Sequence, residues 1–429
     1  MSSFDETISN GSLLSDEFVR ELVAAGEVDL LVGIITLNDA KTIGHVVEAV
    51  LAGFSKHFPR ERVVLVNIDG GSRDDTREIF KNTSIEDPRR FAATQSLRTI
   101  HRISTHYNGA PDPTAALRTI IAAADLLRAK ACAVVSSELT SISPVWIENL
   151  FRPVYREQFD LATPIYNRPK NDGLLVSHVL YPIVRAAYGK AVSEPLSTEF
   201  SFSGRFASHL LEQDFWKEAA GSTSPEIWIT TLALSEDFRV CSSFLGPKDH
   251  SQKSSRLDLV GTIRLAVGTL FHCMEVQEPF WVSKSGSEAL PTFGFSYNVA
   301  LGPVRFNRKR MLQMFRTGVT ELASILQTIL AEETFLLIQE SAGKPDDEFS
   351  YSNELWAKTL YDLAGAYHRT IINRDHLVQS LAPLYRGRIA SYVMENHEAT
   401  PEQVEAGIEE SCREFERLKP YLVDRWNRK

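Results

Sequence analysis

Cysteine, long apolar runs and an excess of basic residues are scarce or missing in this chain of 429 residues. Its four cysteines are scattered, with no CxxC pair and no metal-ligand spacing, which favours buried reduced thiols over a disulfide framework. The net charge of -9 argues against nucleic-acid binding over a broad surface, which requires a basic face. No apolar run approaches the about 20 residues that span a bilayer, so we expect no membrane span.

The remaining composition is typical of a globular protein. Hydrophobic residues make up 43% of the chain and charged residues 24%, and the length suffices for roughly two or three domains. The N-terminal stretch MSSFDETISNGSLLSDEF lacks the basic segment and the apolar core of a secretory signal. We therefore expect a cytoplasmic location.

Buried strands alternate with helices in the first third of the chain. Continuous apolar runs at Asp29–Leu37, Arg62–Asp69 and Lys130–Leu139 are typical of strands that are buried on both faces. Between the first two runs, apolar residues recur at helical spacing from Ile43 to Phe54. This alternation predicts βαβ units and a parallel sheet.

Polar residues follow each of these strands. In parallel sheets of this kind, ligands bind at the carboxyl ends of the strands, so Asn38, Asp69 and Glu138 are expected to meet in one crevice. Asp69 is followed by Gly70 and Gly71, which would allow a ligand to approach the backbone closely. The acid could accept a hydrogen bond from a nucleotide base or ribose, or it could cap a tight strand-to-helix turn. Both interpretations remain open from the sequence.

The pattern changes twice along the chain and predicts three parts. Residues 1–27 form a polar arm with a short amphipathic helix around Asp16–Ala25, and residues 28–251 form the α/β domain. Strands stop after about residue 252, and helical periodicity continues to the end, with a capping-box helix start at Thr400-Pro401-Glu402-Gln403. Residues 252–429 are therefore predicted to be a helical C-terminal domain.

Six stretches in order resemble one known family. VGIITLNDAKTIGHVVEAV and VLVNIDGGSRDDT resemble the nucleotide-binding half of GT-A glycosyltransferases, nearest to the retaining enzymes that make glucosylglycerate and mannosylglycerate. SSELTSISPVWI, EPLSTEFSFSG, SPEIWITT and FLGPKDHS match further motifs of that family, so that the resemblance covers about residues 29–275. It implies a GT-A (Rossmann-like) α/β nucleotide-sugar domain followed by a mainly α-helical C-terminal domain.

The resemblance also implies an activity. It suggests transfer of glucose or mannose from a nucleotide diphosphate sugar to a small acid such as D-glycerate, with retention of configuration. The leaving group of such a reaction is a diphosphate, whose charge a divalent cation, Mg²⁺ or Mn²⁺, would hold. The implied partners are the nucleotide diphosphate sugar, the small acid acceptor and another copy of the chain, in a homo-oligomer formed through the helical domain.

The motifs assign roles to particular residues by resemblance. The implied metal ligands are Glu138 and His250, and the implied catalytic acids are Glu226, near the acceptor or sugar, and Glu199, at the sugar hydroxyls. The implied nucleotide-binding residues are Thr36, Asn38, Asp69, Gly70 and Ser137. Each acid or histidine also has a plain alternative as a loop, strand-edge or first-turn helix residue. Arg118 is a candidate contact for phosphate or acceptor, or a surface residue of a helix.

Departures from the family pattern are concentrated in the expected site. Ser136 stands where the first acid of an Asp-x-Asp step is expected, and Asp112-Pro113-Thr114 replaces a Gly-Lys-Gly phosphate loop. Ser197-Thr198 replaces two glycines, and Ser224-Pro225-Glu226 replaces Gly-Ile-Asp. Two hypotheses follow: a transferase with altered or weak activity, and an impaired paralogue that binds nucleotide sugar or acts as a scaffold. A nucleotidyltransferase on a related fold is a weaker third.

Overall fold

One sheet of eight strands forms the centre of the computed structural model, which describes residues 14–84, 100–106, 112–218, 223–249, 258–295 and 306–428. The strands are β1 (Leu30–Thr36), β2 (Val63–Asp69), β3 (His101–His106), β4 (Ala131–Ser136), β5 (Leu161–Asn167), β6 (Phe200–Ser203), β7 (Val240–Pro247) and β8 (Thr292–Phe293). Their order in the sheet is β3-β2-β1-β4-β6-β5-β7-β8. β6 runs antiparallel to both of its neighbours, and the other adjacent pairs are parallel.

Helices cover both faces of the sheet and form most of the C-terminal part. Those of the sheet region are α1 (Asp16–Ala25), α2 (Ile43–His57), α3 (Thr76–Asn82), α4 (Pro113–Leu126), α5 (Pro144–Phe151), α6 (Tyr181–Tyr188), α7 (Gly204–Leu211), α8 (Phe215–Glu218) and α9 (Pro225–Ser235). The C-terminal helices are α10 (Leu259–Val276), α11 (Glu278–Ser283), α12 (Arg308–Glu321), α13 (Ala323–Ile329), α14 (Glu332–Gly343), α15 (Asn353–His368), α16 (Arg374–Glu395), α17 (Pro401–Arg417) and α18 (Lys419–Asn427). A π-helical turn, Val176–Leu180, precedes α6.

Burial on both faces explains why the central strands are continuously apolar. Leu30, Val32 and Ile34 of β1 face a core formed with α2 and α5. Leu31 faces the opposite core, where α4 packs so closely that a Cβ on Gly33 would lie 2.4 Å from Ile120. The predicted α/β class with a mainly helical C-terminal part is confirmed.

The sequence patterns missed three short strands. β6 has only four residues and β8 only two, too few to establish an alternating pattern, and β3 carries polar residues on an outer strand of the sheet. The prediction that strands stop after residue 252 is therefore wrong, because β8 pairs with β7. The amphipathic helix predicted at Asp16–Ala25 is α1, and its Phe18 and Leu22 are buried in the core.

The C-terminal helices dock on the segment around α6. The indole Nε1 of Trp356 donates to the carbonyl of His178 at 2.7 Å, and the ammonium of Lys419 donates to the carbonyl of Ala187 at 3.0 Å. Arg185 pairs with Glu416 at 2.6 Å. One continuous hydrophobic core extends from α1 to α18, so the boundary at residues 251–252 and a homo-oligomer through the helical domain stay predictions.

Helix α10 is long and apolar enough to cross a membrane when only its length and composition are considered, and it alone has this property in the part of the chain that is described. Its residues Ile263, Val267, Leu270 and Met274 are buried in the hydrophobic core of the fold. Core helices commonly have such composition, so the expected absence of a membrane span stays a prediction.

A close backbone approach at the start of α7 yields a stability prediction. A Cβ on Gly204 would lie 2.2 Å from the carbonyl oxygen of Ala129, and backbone cannot move aside as a flexible side chain does. We expect Gly204→Ala to lower the free energy of unfolding by about 1–3 kcal/mol. The matched control is Gly407→Ala in α17, where the space is open and alanine should stabilise the helix by about 1 kcal/mol. Urea denaturation of both variants measures the difference, and equal stabilities would contradict the packing.

Candidate functional site

Side chains from the ends of β1 and β2 meet at the carboxyl edge of the sheet. The hydroxyl of Thr36 lies 2.8 Å from the Oδ1 of Asn67 and 3.0 Å from the Oδ2 of Asp69. All three side chains are buried. The expected convergence of strand ends is therefore observed for this pair of strands.

Asp69 holds the turn that follows β2. Its Oδ1 accepts hydrogen bonds from the backbone N–H groups of Gly71 and Ser72, at 3.0 and 2.8 Å. Its Oδ2 accepts from the hydroxyl of Ser72 at 2.6 Å, and the residue is 0% exposed. The turn-capping interpretation therefore describes this carboxylate, while the exposed surface of the loop is formed by neighbouring residues.

Asn38 lies on the exposed edge of the same loop system. Its backbone is left-handed, with φ 57°, and its Oδ1 accepts from the backbone N–H of Arg73 at 2.8 Å. The adjacent Asp39 accepts from the hydroxyl of Ser137 at 2.8 Å, which ties the β1 loop to the end of β4. Gly70 packs tightly, since a Cβ there would lie 3.3 Å from the carbonyl oxygen of Thr36.

The serine–glutamate step lies at the end of β4. The backbone N–H of Glu138 donates to the hydroxyl of Ser136 at 3.3 Å, and both side chains are half-buried at this edge. Asp249 bridges to this region, because its backbone N–H donates to the hydroxyl of Ser141 at 2.9 Å. The segment that follows β7 is thereby held beside the step. His250, the second expected metal ligand, lies outside the described residues.

Glu199 is held close to this step by strand pairing. β6 and β4 pair antiparallel, with Phe200 opposite Val134, so Glu199 lies near the end of β4. Its carboxylate is 0% exposed and accepts hydrogen bonds from the ammonium of Lys248 at 2.6 Å and the hydroxyl of Tyr166 at 2.7 Å.

Serine and threonine at the expected glycine positions complete this network. The hydroxyl of Thr198 donates to the Oε1 of Glu199 at 2.6 Å, and the hydroxyl of Ser197 lies 3.3 Å from the Oε2. A carboxylate has about four acceptor positions, and these donors occupy most of them. The departure from two glycines therefore has a structural consequence, because it supplies two of the donors around Glu199.

The charge state of Glu199 follows from this network. Burial alone would raise the pKa of Glu199, but the charge of Lys248 and hydrogen bonds from Lys248, Thr198 and Tyr166 lower it to about 2. Glu199 is therefore ionised at neutral pH. Sequence reasoning did not assign Lys248 or Tyr166 to the site, although Lys248 lies within the stretch FLGPKDHS that suggested the late histidine.

Glu226 has a different environment at the start of α9. It is half-buried, and among the described residues no other side chain forms a hydrogen bond with its carboxyl group. Burial raises its pKa to about 7. The hydrogen bond from its own backbone N–H lowers the pKa in part, and the nearby charges of Glu199 and Lys248 add smaller upward and downward contributions. A carboxyl group with this pKa can take up or release a proton near neutral pH.

The oxygen donors at the crevice partly fit a divalent cation. Within the described ranges, no group of three histidine, cysteine or acidic side chains could hold a metal ion on its own. Glu138 and Ser136 are linked by the backbone hydrogen bond between them, and a carboxylate and a hydroxyl are oxygen ligands of the kind that Mg²⁺ takes. Mg²⁺ commonly uses one or two carboxylates together with substrate phosphates, so this donor set fits an ion that binds with a diphosphate.

The fold and the site together define an α/β protein with a cluster of polar side chains at the carboxyl ends of its parallel strands. No protein-family model matches the chain, and no curated protein matches it. Solved structures do match. A glucosyl-3-phosphoglycerate synthase from Mycobacterium tuberculosis, in complex with Mn²⁺, UDP and glucosyl-3-phosphoglycerate, is 20% identical, with a TM-score of 0.43.

Other complexes of that synthase match at the same level. The complex with Mn²⁺, UDP-glucose and phosphoglyceric acid is 19% identical with a TM-score of 0.44, and the complex with Mg²⁺ and UDP is 18% identical with a TM-score of 0.42. All three matches cover 59% of this chain and 83% of the synthase. Similarity at this level does not extend to activity, substrate or metal.

The buried ion pair leads to a prediction about stability and pH. Lys248→Met would leave the ionised Glu199 without its cation, and breaking such a pair costs about 3–5 kcal/mol, so we expect that loss in the free energy of unfolding at pH 7. Because burial would then raise the pKa of Glu199, protonation should relieve the charge, and the loss should be smaller at pH 5. Urea denaturation at both pH values is the measurement.

In the wild-type protein the contribution of Glu199 to stability depends on pH with the opposite sign. The folded pKa of about 2 lies below the ordinary 4.5, so the contribution of Glu199 is present above pH 4.5 and is lost as the pH falls towards 2. The double variant Lys248→Met/Glu199→Gln should recover much of the loss. The control Lys217→Met breaks an exposed pair with Asp214 and should change little. A Lys248 variant as stable as this control would refute the ion pair.

Proposed function

We propose that this protein is a metal-dependent hexosyltransferase. It would move glucose or mannose from a nucleotide diphosphate sugar to a small acid acceptor such as D-glycerate, with retention of configuration. The observation that carries the proposal is the meeting of five segments, distant in sequence, at one edge of the sheet. Hydrogen bonds join the end of β1 to the end of β2, the loop after β1 to the end of β4, and the turn after β4 to the segment after β7. Glu199 lies beside these segments.

The nucleotide would lie over the β1 and β2 loops. Asn38 is exposed there and Gly70 is half-buried, while Thr36, Asp69 and Ser137 hold the loops in shape through buried hydrogen bonds. We therefore assign contact with base and ribose to Asn38 and the loop backbone. Thr36, Asp69 and Ser137 would act by positioning those loops.

Mg²⁺ or Mn²⁺ would bind together with the diphosphate. The cation would hold the charge that develops on the diphosphate as the bond between sugar and oxygen breaks. Glu138 would be its carboxylate ligand, with Ser136 as a neutral oxygen and His250 as the third ligand that the motif implies. With one carboxylate in the described part of this set, the ion is expected to bind weakly until a diphosphate completes its coordination.

Two acids would act on the sugar and the acceptor. Glu226 would accept the proton of the acceptor hydroxyl, because a carboxyl group with a pKa of about 7 is partly ionised at neutral pH and is a stronger base than an ordinary glutamate. Glu199 would stabilise the sugar site through its negative charge. Its complete burial and its bonds with Lys248 and Tyr166 support an electrostatic role.

A second function is favoured by one observation. The carboxylate of Glu199 is buried and surrounded by donors from its own chain, so a sugar hydroxyl would have to displace one of them. A protein that binds nucleotide sugar without transferring it, or that serves as a scaffold, would keep such a network. This candidate predicts binding without turnover.

Turnover distinguishes the two functions. Purified protein is incubated with a panel of nucleotide sugars, Mg²⁺ or Mn²⁺, and D-glycerate, and released nucleoside diphosphate is measured. Transfer should appear for one donor, and the anomeric configuration of the product by NMR tests retention. Binding of a nucleotide sugar with no release of diphosphate would favour the second function, and no metal-dependent nucleotide binding by calorimetry would contradict the transferase.

The Ser136–Glu138 step offers one carboxylate where two are expected, and this gives a prediction about affinity for a metal ion. Ser136→Asp adds a second carboxylate beside Glu138, so the affinity for Mn²⁺ in the presence of nucleoside diphosphate should rise roughly tenfold, which corresponds to about 1.4 kcal/mol. Calorimetric titration with Mn²⁺ is the measurement. Ser136→Asn has nearly the same size without the charge and serves as control. Equal affinities for the two variants would argue against a metal at this step.

The role of Glu226 gives a prediction about pH. With Glu226 as the base, kcat/KM should rise as the pH rises through about 7. Glu226→Gln should lower kcat/KM by about 10²–10⁴-fold and remove this rise. Glu212→Gln changes an exposed acid on the end of α7 and should leave the profile unchanged. A Glu226→Gln variant that keeps the wild-type profile would exclude the residue as the base.

A further inference from the structure

Arg118 is a half-buried arginine of the sheet region for which the described residues provide no ion pair. It lies on α4 and is half-buried, and its Nε is buried without a hydrogen-bond partner among the residues that the structure describes. No carboxylate in those ranges forms an ion pair with it. Burial lowers the pKa of Arg118, yet a guanidinium stays charged in proteins, so the structure holds a partly desolvated cation without a counter-ion.

Other buried arginines in the described chain donate to protein oxygens. Arg388 and Arg425 also have an unbonded Nε, but each forms an ion pair, with Glu395 and Asp362. Arg168 forms two hydrogen bonds with Glu194, both at 2.7 Å, and Arg185 forms ion pairs with glutamates of α17. Arg102 of β3 is partly buried to a similar degree, and it donates to the carbonyl oxygens of Phe80 and Thr83. Leaving a buried polar group unpaired costs free energy, so the isolation of Arg118 calls for a ligand as partner.

Topology directs Arg118 toward the crevice. α4 connects β3 to β4, which run in the same direction as β1 and β2, so the first turn of the helix lies at the carboxyl edge of the sheet. Ile120 packs at Gly33, in the middle of β1, and Arg118 precedes it. Helical side chains tilt toward the N-terminus of the helix, which here is the carboxyl edge of the sheet.

The face of α4 that carries Arg118 is also identified. Asp125 lies seven residues later, about two helical turns, and therefore on nearly the same face. Asp125 accepts a hydrogen bond from the hydroxyl of Ser208 in α7, so this face of α4 is turned toward α7, which follows the end of β6 at Ser203. β6 begins immediately after Glu199, at the wall of the crevice beside the end of β4.

We infer that Arg118 binds an oxyanion of the ligand in this crevice. The inference rests on the proposed function, in which the oxyanion is either the diphosphate of the donor or the acid group of the acceptor. A guanidinium forms paired hydrogen bonds with either group. Arg118 thus supplies, from the body of α4, a positive charge that Asp112-Pro113-Thr114 lacks at the start of the same helix.

Calorimetry on the full-length protein tests the inference with two probes. Inorganic pyrophosphate with Mg²⁺ represents the donor diphosphate, and D-glycerate represents the acceptor acid. Arg118→Met should weaken the binding of one of them by roughly tenfold to a hundredfold, because a hydrogen bond to a charged group contributes about 1.5–3 kcal/mol. Arg118→Lys keeps the charge but loses the paired N–H donors of the guanidinium, so it should give an intermediate loss of affinity. The probe that is affected identifies the source of the oxyanion.

Thermal stability separates a binding role from a structural one. Without ligand, Arg118→Met should raise Tm, because it removes an uncompensated buried charge, and pyrophosphate or glycerate should then stabilise the variant less than the wild type. The control Arg102→Met removes an arginine that does bond to the protein. It should lower Tm and leave the affinity for both probes unchanged.

The outcomes are distinguishable. The inference is overturned if wild-type protein binds neither probe, if Arg118→Met binds both as the wild type does, or if Arg118→Met lowers the ligand-free Tm as Arg102→Met does. Binding of a probe through Arg118 without any sugar transfer would contradict the proposed transferase and leave the oxyanion site standing.

Discussion

A buried carboxylate that must remain ionised organises the crevice. Glu199 has no contact with solvent, so its negative charge is tolerable only with a cation and hydroxyl donors against it. Lys248 arrives from the end of β7, Tyr166 from β5, and Thr198 from the residue before Glu199 itself. Meeting this one electrostatic requirement joins three neighbouring strands, β6, β5 and β7, where the sheet changes direction.

The two acids of the candidate site have opposite properties because their surroundings differ. Glu199 is surrounded by donors and a cation, and its pKa falls to about 2, whereas Glu226 is desolvated with little compensation and its pKa rises to about 7. One is therefore a fixed charge and the other a group that exchanges protons at neutral pH. Pairs of acids separated in this way are a common arrangement in enzymes that need both a charge and a proton acceptor.

The sequence could predict the elements whose patterns are long, and it failed where structure depends on distant partners. The apolar runs that became β1, β2 and β4, and the stripe from Ile43 to Phe54, are local signals. β6 has only four residues and is specified by pairing with β4 and β5. Asp69 could be placed at a strand end, and capping of the turn was one of its two open interpretations, because the donors Gly71 and Ser72 are close in sequence. The role of Lys248 could not be predicted from the sequence because its partner, Glu199, lies 49 positions away.

Redundancy is the consequence of the network around Glu199. Its donors come from separate stretches of chain, at Tyr166, at Ser197 and Thr198, and at Lys248, and each hydroxyl satisfies only part of the carboxylate. Changing one hydroxyl leaves the others and the ammonium in place, so a single substitution there alters the acid only slightly. An open, sugar-facing Glu199 would require coordinated changes in several stretches, and the intermediates along that route would each contain a buried charge with too few partners. The arrangement is therefore tolerant of small changes and resistant to large ones.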